Sequence, residues 1–151
     1  MAHLGKILLV EDDPHDVELT LTALAENHLT NEIVVVRDGA EALDYLYRRG
    51  SYGSREAGNP AVILLDLKLP KVDGLEVLQR VKADPDLKTT PVVMLTSSRE
   101  EQDLVESYNS GSNAYVVKPV GFRDFVEAVR EVGLFWTVIN QPPPGSVGQT
   151  H

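Results

Sequence analysis

Two short stretches of this chain are apolar at every position, Ile7-Leu8-Leu9-Val10 and Val62-Ile63-Leu64-Leu65. A strand with one face in water alternates apolar and polar side chains, so a strand without alternation has to be covered on both faces. That is the environment of a parallel sheet between two layers of helix. Five runs rich in Val, Ile and Leu, at Lys6–Glu11, Glu32–Arg37, Ala61–Asp66, Val92–Thr96 and Ala114–Lys118, alternate with segments of helical period. The expected fold is therefore α/β, a doubly wound five-stranded parallel sheet with helices on both faces.

Helix boundaries read from capping chemistry. Asp13 before Pro14 is an N-cap followed by a first-turn proline, and Val17, Leu21 and Leu24 then recur at helical spacing. Asp38 with Glu41, and Ser98 with Glu101, are capping-box pairs that open the second and fourth helices. Gly111 after Tyr108 suits a helix stop. The third helix follows Pro70 and Asp73-Gly74, turns Leu75, Leu78 and Val81 inward, and ends at Asp84-Pro85. Between the second helix and third strand, Arg48 to Asn59 reads as a long polar surface loop. Residues 1–141 form one domain on this reading, and the proline-rich 142–151 segment is an extended tail.

Composition narrows the function. Lys and Arg total 14 against 23 Asp and Glu, so the net charge is 14 − 23 = −9, which disfavours nucleic acid and anionic membrane as partners. Cysteine is absent, which excludes disulfides, thiolate metal sites and cysteine nucleophiles. The apolar residues before Glu11 are too few for a signal-peptide core or a membrane span, so a cytoplasmic protein is expected.

Chemistry gathers at the carboxyl ends of four runs: Glu11-Asp12-Asp13, Asp66, Thr96 and Lys118. In a parallel sheet these ends converge on one crevice. Asp66 alone reads equally well as a turn-forming residue or as a nucleophile projecting into solvent-accessible space. Glu11 and Asp12 shift the balance, because Mg²⁺ prefers carboxylate, carbonyl, water and phosphate oxygens. Thr96 supplies a hydroxyl donor and Lys118 a point charge for a phosphoryl oxygen. Each is commonplace by itself; together they describe Mg²⁺-assisted formation of an aspartyl phosphate.

Across roughly residues 6–132 the chain resembles the response-regulator receiver domains of two-component signalling. The resemblance is carried by Val10-Glu11-Asp12-Asp13, by Leu65-Asp66-Leu67-Lys68-Leu69-Pro70 with Asp73-Gly74, by Leu95-Thr96-Ser97, and by Tyr115-Val116-Val117-Lys118-Pro119. It implies strand order 2-1-3-4-5 and Asp66 as phosphoacceptor. Asp12, Asp66 and the Lys68 backbone carbonyl would hold Mg²⁺, with Glu11 acting mainly through water. Thr96 and Lys118 would hold the phosphoryl oxygens, Tyr115 would be the switch aromatic, and Lys118-Pro119 would be a cis peptide. Glu11 stands where many family members carry Asp. Such a protein is a signalling phosphoacceptor rather than an enzyme, and its donor is a sensor histidine kinase.

In the last helix Phe122, Phe125, Val129, Val132, Trp136 and Ile139 form an apolar stripe longer than the sheet requires. Its first half suits the core, whereas Phe135, Trp136 and Ile139 suit an interface between two copies of the chain. The Leu134-Phe135-Trp136 ending and the long Tyr47–Asn59 connection also resemble stand-alone receivers paired with bacterial phytochrome kinases. No output domain is expected after this helix, and the downstream protein is left unnamed. A phosphorelay intermediate is the alternative within the family. A flavodoxin-like FMN carrier would need a Ser/Thr/Gly-rich phosphate loop where Glu11-Asp12-Asp13 stands. A haloacid-dehalogenase-type phosphatase would need Asp where Lys68 stands.

Overall fold

The computed structural model describes residues 5–27, 31–56, 58–67, 69, 71–96, 114–117 and 123–131, with side chains at all of these except 96 and 114–117. The strands are β1 (Ile7–Val10), β2 (Ile33–Val36), β3 (Val62–Asp66), β4 (Val92–Thr96) and β5 (Ala114–Val117). The helices are α1 (Pro14–Glu26), α2 (Gly39–Tyr47) and α3 (Gly74–Ala83), and residues 123–131 are also helical. All neighbouring strands pair in parallel, in the order β2-β1-β3-β4-β5.

Alternate side chains along each central strand feed two separate cores, as the two-residue period of a strand requires. Leu8, Val10, Ile63, Leu65, Val92 and Met94 pack with α2 and α3 through Leu43, Val77, Leu78 and Val81. On the other face Ile7, Leu9, Val62, Leu64, Val93 and Leu95 meet Val17 and Leu24 of α1 and Phe125 and Val129 of the last helical segment. Ile7 through Val10 have no exposure at all. The double coverage expected from the unbroken apolar runs is thus present.

The caps form as their sequences suggest. The Asp13 side chain accepts from the His15 N–H at 2.9 Å, with Pro14 opening α1. Asp38 accepts from the Glu41 N–H at 2.7 Å, and Glu41 reaches back to accept from the Arg37 N–H at 3.0 Å. Asp73 does the same for α3, taking the Glu76 N–H at 2.9 Å. The buried stripes differ in detail from the expected ones. On α1 the buried residues are Val17, Thr20, Ala23 and Leu24, with Leu21 half-buried; on α3 they are Gly74, Val77, Leu78 and Val81, with Leu75 half-buried. Each stripe follows the helix's crossing of the sheet, which the spacing of leucines alone does not fix.

The connection from Arg48 to Asn59 is more ordered than a plain surface loop. Arg48 ends α2 in the left-handed conformation, and Gly50–Tyr52 make a 3-10 turn. The Arg55 guanidinium then lies 4.1 Å over the Tyr45 ring, while its Nε donates to the Tyr45 carbonyl at 2.7 Å. Its Nη1 donates to the carbonyls of Glu56 and Gly58. An aromatic face and the last-turn carbonyls of α2 thereby fold the segment back on the helix.

The expected fourth-helix signals at Ser98, Glu101, Tyr108 and Gly111, the core positions Phe122 and Val132, and the 142–151 tail lie outside the described residues. Among the described residues no helix is long and apolar enough to cross a membrane.

A Cβ at residue 39 would lie 1.8 Å from the Val72 carbonyl oxygen, so the start of α2 touches the β3–α3 loop through a bare glycine. Gly39→Ala should lower stability by about 1–3 kcal/mol, as overpacking of a tight contact does. Urea unfolding should show a lower midpoint with an unchanged slope, whereas an unchanged midpoint would mean that the two backbones separate at little cost.

Candidate functional site

Two adjacent strand ends, those of β1 and β3, build the acidic site. Glu11 follows β1 and still bonds in sheet fashion, its N–H donating to the Val36 carbonyl at 3.0 Å. Its side chain is fully buried, and Oε2 accepts from the Asp13 N–H at 3.3 Å. Asp12 is exposed, and Asp66 closes β3 at only 8 % exposure. Asp66 is therefore more enclosed than a strand-end carboxylate facing open solvent.

A carboxylate oxygen from each of Glu11, Asp12 and Asp66 lies within 4.8 Å of the other two. Like charges at such a distance repel by roughly 1 kcal/mol per pair in bulk water and by several times that near a protein surface. A divalent cation relieves that repulsion. Mg²⁺ holds oxygens at about 2.0–2.1 Å, which sets adjacent ligands about 3 Å apart and opposite ones about 4 Å apart. The cluster is near that spacing, and its donors are of the hard kind such a cation takes. Asp13 belongs to the helix cap instead, as its bond to His15 shows.

The other strand ends line up by register. Asp66 pairs with Leu95, the residue before Thr96, and the Leu67 N–H donates to the Leu95 carbonyl at 3.2 Å. Thr96 in turn pairs with Val117, the residue before Lys118. Tyr115 pairs with Met94 in β5. The backbones of Thr96 and Tyr115 are thus placed. The side chains of Thr96 and Tyr115, and all of Lys68, Lys118, Pro119, Phe135, Trp136 and Ile139, lie outside the described residues.

Two features at this edge carry contacts that the sequence reading did not give: Gly74, read there as a helix start and part of the receiver motif, and Lys71, read only as a charge. Gly74 starts α3 against the acceptor loop: a Cβ there would lie 2.0 Å from the Asp66 carbonyl oxygen, and its N–H donates to the Leu67 carbonyl at 2.9 Å. Asp73-Gly74 after a strand was the available signal, but it shows a turn rather than a close approach. Lys71 adopts φ +66° and sets its Nζ 3.5 Å from an Asp38 carboxylate oxygen. Farther along α2, the Tyr52 hydroxyl donates to Glu41 at 2.5 Å; burial and this bond push the phenol up to about 12.

A parallel sheet in this order, with an acidic trio at its carboxyl edge, defines a receiver. The chain matches the response regulator receiver domain over residues 7–130 and belongs to that family of two-component signalling proteins. Among its relatives, response regulator Rcp1 of Synechocystis sp. is 41% identical over 130 residues, covering 86% of this chain and 87% of Rcp1. The Mn²⁺-bound form of Rcp1 superposes with a TM-score of 0.77 at 40% identity, over 87% of this chain and 94% of that one. The bacteriophytochrome response regulator RtBRR is 64% identical with a TM-score of 0.81, covering 97% of this chain and 88% of its own. The phosphorylated cyanobacterial phytochrome response regulator RcpA is 42% identical with a TM-score of 0.81, covering 93% of this chain and 99% of its own.

Asp12→Ala should weaken Mg²⁺ and Mn²⁺ binding, measured by isothermal titration, with little change in urea stability. Asp13→Ala should do the reverse, costing about 0.5–2 kcal/mol through the lost cap. Equal loss of metal affinity in the two variants would show that the ligands lie elsewhere.

Proposed function

We propose that this chain takes a phosphoryl group on Asp66 from a bacteriophytochrome-type sensor histidine kinase and passes the signal on through its surface. The observation that carries this reading is the 64% identity to RtBRR along 97% of the chain. The trio of Glu11, Asp12 and Asp66 supports the chemistry. An Asp66 carboxylate oxygen attacks phosphorus as the P–N bond to the donor imidazole breaks, and the imidazole leaves with its electron pair and takes up a proton. Water later cleaves the acyl phosphate, returning the carboxylate and inorganic phosphate.

Mg²⁺ is the metal expected at Glu11, Asp12, Asp66 and the Lys68 carbonyl, where it would offset negative charge on the incoming phosphoryl group. The Thr96 hydroxyl donates to one phosphoryl oxygen and the Lys118 ammonium to another. Movement of Thr96 toward the phosphate lets Tyr115 turn inward, biasing a two-state equilibrium of the surface near β4 and β5. The protein is a phosphoacceptor that assists its own phosphorylation and dephosphorylation. It works in the cytoplasm.

Phosphotransfer from an autophosphorylated bacteriophytochrome kinase should label the wild type in the presence of Mg²⁺ and fail in Asp66→Asn. Label mapped to another residue, or transfer only from small phosphodonors, would overturn the assignment. Rapid onward passage of the label to a histidine phosphotransfer protein would favour the phosphorelay role instead.

The functional unit is proposed to be a homodimer whose contact includes Phe135, Trp136 and Ile139. Large aromatics bury about 150–250 Å² each, and at about 25 cal/mol per Å² a two-fold contact gains several kcal/mol before association costs. A symmetric interface counts each substitution twice. Trp136→Glu should move sedimentation toward monomer while Asp66 still reacts with a small phosphodonor. A wild type that is monomeric at tens of micromolar, with and without phosphate, would exclude the dimer.

A further inference from the structure

Behind Asp66 the chain runs through the β3–α3 loop, and the first turn of α2 grips that loop from outside. The Val72 carbonyl rests on Gly39, where a Cβ would lie only 1.8 Å away. Next to it, Lys71 holds φ +66°, a region that L-residues other than Asn and Asp seldom enter. Such a backbone persists where its surroundings over-determine it. The surroundings here are the Gly39 contact and the Lys71 Nζ, 3.5 Å from Asp38 Oδ2.

Asp38 has two tasks at once. Its Oδ1 accepts from the Glu41 N–H at 2.7 Å and so caps α2, while Oδ2 faces Lys71. The carboxylate is 17% exposed, against 69% for the lysine side chain, so the pair has one fixed member and one free one. Glu41 is fixed in turn, accepting from the Arg37 N–H through Oε1 and from the Tyr52 hydroxyl through Oε2. The anchor for the loop is therefore tied to the body of α2 and to the 48–60 connection.

We propose that Asp38 and Lys71 are positioning residues for the acceptor site, holding the Lys71–Gly74 backbone, which packs on the Asp66 carbonyl through Gly74, so that the Asp66 carboxylate keeps its place in the acidic trio. This rests on the reading of Glu11, Asp12 and Asp66 as a divalent-cation site. A simple charge effect predicts something different. By charge alone, removing the positive charge of Lys71 should leave cation binding unchanged or tighten it, whereas loss of loop positioning should weaken it.

Mg²⁺ titrations of the wild type, Asp38→Asn, Lys71→Met, Lys71→Arg and the Asp38→Asn/Lys71→Met double variant separate the two. Asp38→Asn keeps the oxygen that caps α2 and removes only the charge. The Mg²⁺ dissociation constant should rise roughly two- to fivefold in each of Asp38→Asn and Lys71→Met, the scale of an exposed ion pair. Lys71→Arg should restore it, and the double variant should be no weaker than either single one. In the metal-free protein, the amide signals of Val72 and Gly74 should shift in Lys71→Met while the urea midpoint stays close to that of the wild type. Unchanged or tighter Mg²⁺ binding by Lys71→Met, with unshifted loop amides, would overturn the positioning role alone. A wild type that binds no Mg²⁺ would overturn the cation site and this role together.

Discussion

Ile7, Leu8, Leu9 and Val10 have no contact with solvent on either face, and β3 is nearly as enclosed. Such strands need hydrogen-bonded neighbours on both sides and helices above and below, which obliges the chain to cross back after every strand. Parallel crossing brings every carboxyl end to the same edge. Glu11 and Asp66 are neighbours because Val10 pairs with Leu65. The burial that stabilises the sheet also assembles the acidic site.

The site carries an electrostatic cost set against that stability. Glu11 and Asp66 are withdrawn from water and Asp12 is not, so the trio presents one open approach over two enclosed carboxylates. A cation arriving there meets oxygens already arranged by the sheet and its capping turn, with little side-chain entropy left to lose. Asp13, one residue on, is spent on the helix. The division of labour among adjacent acids follows from where β1 ends and α1 begins.

Much of this was readable from the residues. The central strands were legible because their lack of alternation admits few environments, and the caps because Asp before Pro14 or three residues before Glu41 has a specific local use. The acidic trio was legible as a consequence of strand ends meeting. The folded-back 48–60 segment was not, because it depends on Arg55 finding Tyr45 ten positions away. Nor were the contacts of Gly39 and Gly74, which exist only once helices are set against the loop. The left-handed Lys71 carries no local signature, since lysine has no preference for that conformation.

Gly39 and Gly74 bear no side chain and stand outside the acidic trio, yet each meets backbone where a single methyl group has no room. Their freedom to vary is accordingly narrower than that of the groups expected to do chemistry. One carboxylate can stand in for another at positions 11 or 12 and still offer oxygen to a cation. Alanine at 39 or 74 must first push apart the elements that shape the loop. At these two positions the shape of the acceptor loop depends on the absence of a side chain.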